Sequence, residues 1–414
     1  MKKGLGVLSL IIVCVFFYAL IFQKDEKIEY SELEYRKLDI AQNKKYLLKN
    51  ATIITMENEE DVFKGSILVS NGIITFIGQD KHINYPKDVE IIDCTDKYIL
   101  PGFADMHVHA NEVQTHQRFL AYGVTLVRNM QGSKVHLDRR ESIKKGKLLG
   151  PEMFVGTPLF DGPDPMWPRD SIVLKQVDEV LPAIEMVIDE GYDFIKIYNN
   201  LSRDVFDEVM RIAEVKGILV AGHVPYKISA EYAAQKGLWS SEHLYGHGIE
   251  YNKVDKLIES IQEIIDTDMW ICPTPMVHDT NDFERYVETS MSMEKALQYM
   301  KAFHNQGGKI VTGTDEYSHA IPAGSSLHET MKYMEGAGFT PYEILETVTI
   351  NPARMLAIQD RVGTIKLNND ADLLIVDNNP LDNIENAMEI YAVMTKGRYL
   401  NQEWIKKTRK KLLK

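Results

Sequence analysis

Between residues 101 and 357 the chain repeats one pattern, a short apolar run of strand character followed by an amphipathic stretch of helical period. The runs fall at 103–109, 123–128, 152–156, 193–198, 218–223, 239–243, 268–273 and 309–314. Helical stretches such as Ile172–Asp189, Arg203–Lys216 and Ser290–Phe303 separate most of them. Strands that alternate with helices lie parallel, because each helix carries the chain back to the end where it started. Eight such units in about 250 residues is the size at which a parallel sheet closes on itself. The expected fold is therefore α/β, a (β/α)8 TIM barrel spanning 101–357.

The flanks have a different texture. Residues 46–100 hold β-rich pieces punctuated by Asn71-Gly72 and Gly78, and comparable pieces return at Val362–Ile365, Ala371–Val376, Ile390–Thr395 and Arg398-Tyr399. A small composite β-domain, 46–100 plus 358–400, is expected from the two flanks together. Further out, Lys2 and Lys3 precede Leu5–Phe22, eighteen residues without a charge. As a helix that run is about 27 Å long, against a hydrocarbon core of about 30 Å. No small-x-small cleavage site follows it, so residues 1–28 are expected to be a transmembrane signal anchor and stalk. Lys2 and Lys3 favour a cytoplasmic N-terminus and a body on the exported, periplasmic or extracellular side, although Lys24 and Lys27 lie on the other flank. A buried core helix is the alternative. Residues 401–414 form a basic tail, with six basic side chains in Lys406–Lys414, either solvated or resting on an anionic membrane.

Composition narrows the chemistry. A net charge of −13 argues against nucleic acid as a partner. Cys14, Cys94 and Cys272 make neither a disulfide framework nor a zinc knuckle, so any metal must be held by histidine and carboxylate. Such residues recur at the ends of the strand candidates. His107 and His109 lie two apart in Phe103–His109, on one face of a strand, as two ligands of one metal require. Lys196 faces the axis between Ile195 and Ile197, where an ammonium is costly unless paired, snorkelling or chemically changed. A lysine carbamylated by CO2 would be an anion able to bridge two metals. His223, His243 and Asp315 end the fifth, sixth and eighth candidates.

This chain resembles the amidohydrolase superfamily, in its imidazolonepropionase-related and prolidase-like branch. The resemblance runs over about 46–400 and includes Leu100-Pro101-Gly102-Phe103, Gly123–Arg128, Asp161–Pro168, Asn351–Leu356, Ala371-Asp372-Leu373 and Asn379-Pro380-Leu381. It implies two divalent ions, Zn first and Mn, Fe or Co as substitutes. One would be held by His107, His109, carbamylated Lys196 and Asp315, the other by Lys196, His223 and His243. A hydroxide would be the nucleophile, with Asp315 as general base and then acid. Imidazolonepropionases and mononuclear deaminases typically lack the lysine. Deaminases also carry a glutamate three residues after the strand-five histidine, where Tyr226 stands here. Both differences favour hydrolysis of a C–N amide bond, in a dipeptide or N-acyl amino acid. The alternatives are a cyclic amide hydrolase (lactam, hydantoin or imidazolone-like) and, in another class, an inactive metal-binding barrel. A homo-oligomer is compatible with all of these.

Substrate-facing candidates are Tyr198, inward and nearer the mouth than Lys196, and Arg128, which could clamp a carboxylate or pair internally. His247 and His328 are further candidates. His116, His136, His278, His304 and His319 are expected at the surface or behind the ligands, and Phe160–Asp170 is a long loop that walls the pocket or simply packs.

Overall fold

The computed structural model describes residues 44–79, 83–247, 261–279, 292–317 and 321–411. Leu5–Phe22, and with it the expected anchor, lies outside them. Among the described residues no helix is long and apolar enough to cross a membrane.

Strands β1 (Lys45–Ile54), β2 (Val62–Ser70), β3 (Ile73–Gly78), β4 (Glu90–Asp93) and β5 (Tyr98–Pro101) come first. Asn71 and Gly72, both at positive φ, turn β2 into β3, the backbone that a two-residue hairpin demands. The sheet is completed from the far end of the chain by β14 (Leu373–Val376), β15 (Ile390–Thr395) and β16 (Arg398–Leu400), in the order β16-β15-β14-β5-β1-β2-β3 with β4 against β1. Alternate residues of these strands, among them Leu48, Ile53, Ile67, Ile99, Leu373, Ile375 and Met394, form one buried core. Val362–Ile365 is a turn, not the strand expected. Gly363 takes φ +85° there, and a Cβ would lie 2.7 Å from Ala353 Cβ.

The second sheet holds β6 (Phe103–Val108), β7 (Val124–Asn129), β8 (Glu152–Asp161), β10 (Phe194–Ile197), β11 (Leu219–Gly222), β12 (Ser240–Glu242) and β13 (Trp270–Cys272), all parallel and in that order. These seven strands form a nearly closed barrel. The eighth candidate, 309–314, is not a regular strand: it touches β13 through an Ile271–Ile310 bridge, and two residues past it Glu316 bridges Val108 of β6. It nevertheless fills the gap, since Met106 N–H donates to Thr312 O at 3.0 Å and Val311 N–H to Ile271 O at 3.1 Å. A further short strand, β9 (Ser171–Val173), pairs with the extended end of β8. It takes residues expected to be helical, so that helix begins only at Val180 and runs to Glu190.

Helices cover the barrel. Arg203–Lys216 coincides with the expected span; Ser202 caps its start and Gly217, at φ 70°, ends it. The basic segment is not a free tail, because Gln402–Lys411 is helical. Ile405, Thr408 and Arg409 share one face at helical spacing. Ile405 is buried, and Arg409 Nε donates to Ala121 O at 3.0 Å with its guanidinium over the Tyr122 ring. Lys406, Lys407 and Lys410 point to solvent.

Candidate metal centre

The C-terminal ends of the barrel strands gather the histidines. His107 is the fifth residue of β6, and His109 lies just beyond its end. The eighth segment zips alongside: Asp315 N–H donates to His107 O at 2.8 Å, and His109 N–H to Glu316 O at 2.9 Å. This brings Asp315 Oδ1 to 2.8 Å from His109 Nε2 and 3.2 Å from His107 Nε2. The approach is close enough to require Gly313, where a Cβ would stand 2.6 Å from both His107 Cβ and Cys272 Sγ. Burial opposes ionisation of Asp315, but His107 and His243 outweigh it and hold the carboxyl well below its usual range.

Lys196 sits on β10 with its backbone N–H donated to Thr157 Oγ1 at 2.9 Å. Its side chain is 1% exposed, and among the described residues Nζ has no hydrogen-bond partner. Burial pulls its pKa down to about 8, although Glu242 and Asp315 pull the other way.

His223 and His243 follow β11 and β12. His223 donates Nδ1–H to Asn199 Oδ1 at 2.7 Å, and the Asn199 amide in turn donates to Tyr226 Oη at 2.8 Å. His243, at φ 60°, pairs Nδ1 with Thr274 Oγ1 at 2.5 Å. The His243 ring lies 4.6 Å from that of His107 and 4.7 Å from that of His223, centroid to centroid. Burial drives both His223 and His243 well below the ordinary imidazole pKa, so each is neutral, as a metal ligand must be.

These residues suit divalent ions. His107, His109 and Asp315 present ligand atoms within 4.8 Å of one another. His107, His223 and His243 each turn Nδ1 to a fixed oxygen, the usual arrangement behind an imidazole that binds through Nε2. A fully buried amine without a partner fits a lysine that is carbamylated when ions are bound. A second cluster, His107, Glu242 and Cys272, is equally compact, but Glu242 already faces Arg128.

Four other expected residues fall in different places. Arg128 is fully buried and donates to Met106 O, Ser240 Oγ and both Glu242 oxygens, at 2.7 to 3.0 Å. It therefore meets an internal carboxylate, and its guanidinium has no open face for a substrate carboxylate. His247 lies between Ser241 Oγ and Tyr299 Oη, at 2.7 and 2.8 Å, away from the ligands. His328 donates Nε2–H to Tyr122 O at 2.8 Å and meets the ring of Phe103, which opens β6 at the opposite end of the barrel. Tyr198 does line the site: its ring is 4.2 Å from that of His223, and its hydroxyl accepts from Trp167 Nε1 at 3.1 Å. Trp167 thus draws the 160–170 loop to the mouth. Two of the remaining histidines, His116 and His136, are buried, and His136 Nε2 lies 3.1 Å from His109 O, behind a ligand.

Sequence reasoning missed Glu242, Asn199, Thr274 and Tyr245. Glu242 carried a signal: it shares strand parity with Ser240, and an inward Arg128 calls for an inward carboxylate. Tyr245, whose ring lies tilted beside those of His223 and His243, follows two left-handed residues, His243 and Leu244, that no pattern announces.

A parallel barrel with one histidine on its first strand and another just past it, a buried lysine on its fourth and an aspartate where the barrel closes defines a metal-dependent hydrolase scaffold. Residues 98–400 match the amidohydrolase family, and the chain belongs to it, a family of metal-dependent hydrolases acting on carbon–nitrogen bonds. It is 39% identical over 72 residues to a dihydropyrimidinase of Dictyostelium discoideum, covering 17% of this chain and 13% of that protein. It is 22% identical over 388 residues to a 5-methylthioadenosine/S-adenosylhomocysteine deaminase of Desulforamulus reducens, covering 80% and 84%. Its fold is similar to that of a Xaa-Pro dipeptidase solved with methionine in the active site, with a TM-score of 0.72, 22% identity, and 86% and 100% of the two chains covered.

Proposed function

We propose that this protein hydrolyses the C–N amide bond of a dipeptide or an N-acyl amino acid, using two divalent ions, Zn2+ first among them. His107, His109 and Asp315 would hold one ion, His223 and His243 the other, and carbamylated Lys196 would bridge them. Bound there, the ions would polarise the scissile carbonyl and acidify a water. The observation that carries the reading is the Lys196 amine, buried among histidines and a carboxylate with no partner among the described residues. With its pKa near 8, part of it is the free amine at neutral pH, the form that adds to CO2.

The chain's own groups do the rest. Asp315, ionised at neutral pH, accepts the proton of the attacking water at its carboxylate and passes it to the leaving nitrogen. Nδ1 contacts to Glu242, Asn199 and Thr274 keep three imidazoles from rotating. Tyr198, Tyr245 and Trp167 form an aromatic wall at the mouth that limits water around the reacting carbonyl. Tyr226 at the position of the deaminase glutamate supports amide hydrolysis over deamination.

A panel of dipeptides, N-acyl amino acids, lactams and hydantoins, scored by the products released, tests the substrate class. Turnover of linear amides is expected. Opening of a lactam or hydantoin with every linear amide untouched would replace this reading with the cyclic-amide one. The membrane-tethered, exported location is proposed from Leu5–Phe22 and its flanking lysines. Protease added outside spheroplasts should then reach the barrel; full protection would place it inside.

A further inference from the structure

Arg128 and Glu242 are both fully buried, and a buried ion pair is no more stabilising than well-packed apolar residues of the same volume. Its position calls for a reason other than stability. Every oxygen of Glu242 is accounted for: Oε1 accepts from Arg128 Nη2 at 2.8 Å and Ser240 Oγ at 2.6 Å, and Oε2 lies 3.0 Å from Arg128 Nη2 and 2.7 Å from His107 Nδ1. Arg128 is itself pinned by Met106 O and Ser240 Oγ and flanked by the rings of Phe194 and Trp239, 5.8 and 5.4 Å from its guanidinium carbon. The carboxylate thus has no freedom to turn away from His107.

We propose that Glu242, clamped by Arg128 and Ser240, is the positioning residue that fixes His107 as its Nδ1–H tautomer and makes Nε2 the strongest imidazole donor of the metal centre. An ionised carboxylate only accepts hydrogen bonds, so the proton between Glu242 and His107 belongs to Nδ1. Nε2, the nitrogen on the Asp315 side, is then the one left to give its lone pair to an ion. His223 and His243 are held at Nδ1 by the neutral oxygens of Asn199 and Thr274, whereas His107 faces a charged acceptor. A charged acceptor makes the opposite nitrogen more basic. The clamp also ties β6, β7 and β12 together beneath the site, and Glu242 immediately precedes His243.

This inference rests on His107 being a metal ligand. Its test is the Zn2+ dissociation constant of the metal-stripped full chain, measured by chelator competition, alongside the thermal midpoint of the same metal-stripped protein. Glu242→Gln alone leaves Arg128 buried without a counter-charge and risks unfolding. The informative variant is therefore the double one, Arg128→Met with Glu242→Gln, which removes both charges. The expected result is Zn2+ binding weakened about 10–100-fold, with the thermal midpoint near wild type and KM at saturating Zn2+ unchanged. Wild-type affinity in the folded double variant overturns the proposal. A second measurement needs no folded variant: in metal-stripped wild type labelled with 15N-histidine, the His107 resonances, assigned by their loss in His107→Gln, should show Nδ1–H; an Nε2–H pattern overturns the proposal. A wild-type chain that binds no Zn2+ removes the functional reading and this inference together. A chain that binds Zn2+ and cleaves amides while the double variant keeps its affinity removes this inference alone.

Discussion

Asp315 and His107 meet twice across the seam that closes the barrel. The Asp315 N–H donates to the His107 carbonyl at 2.8 Å, and its Oδ1 stands 3.2 Å from His107 Nε2. The backbone contact sets the distance of the side-chain contact, so the carboxylate is placed by the same bond that closes the fold. Asp315→Asn keeps the shape and one oxygen but removes the proton acceptor. We expect kcat to fall by at least the ~10²-fold typical of a lost general base, with the circular dichroism spectrum retained. Near-normal kcat would move proton transfer elsewhere.

Lys196→Ala should lower metal content and nearly abolish turnover. Because Nζ has no partner among the described residues, the loss is expected to come from the missing anion more than from a broken contact. Small carboxylic acids that enter the gap should restore part of both. Two ions per chain and wild-type turnover in the variant would remove the bridging role.

Arg128→Met leaves Glu242 buried with its main counter-charge gone. Breaking such a pair costs about 3–5 kcal/mol, so the variant should melt at a clearly lower temperature. Residual activity should fall equally for carboxylate-bearing substrates and their amides. A selective loss of the acids would return Arg128 to the substrate site.

Asp372 gives a pH signature far from the ligands. Its Oδ1 accepts from Lys396 N–H at 2.6 Å, and burial pushes its pKa up to about 7. A raised carboxyl keeps its proton on folding, so the folded state binds more protons than the unfolded one. Its contribution to stability therefore falls as pH rises from about 4 toward 7. Asp372→Asn keeps the acceptor oxygen and removes the titration. The variant should match wild type near pH 4 and be more stable at pH 8, by on the order of 1–4 kcal/mol. Parallel stability curves over that range would contradict it.

Strand parity made much of the centre legible. His107, His109 and Lys196 follow from alternation along two strands, and His223, His243 and Asp315 from their places at strand ends. What parity does not carry is depth along the axis. Arg128 faces inward as alternation requires, but the stagger of β6, β7 and β12 sets it level with Glu242, on the Nδ1 side of His107. His247 follows His243 by four residues and His328 opens the segment after the eighth strand candidate, but the backbone turns after His243 and the helix at 325–336 carry them away. The helix at 402–411 was hidden by its charge, since only three residues of one face reveal that it docks.

Metal dependence tests the account most directly. The full chain is stripped with chelator, titrated with Zn2+ in the presence of bicarbonate, and assayed against a dipeptide panel at each step. No hydrolysis is expected when stripped, and full recovery as about two ions bind per chain, the binuclear form of metal-assisted hydrolysis. Undiminished hydrolysis in the fully stripped protein, or two bound ions with no amide cleaved, would contradict it.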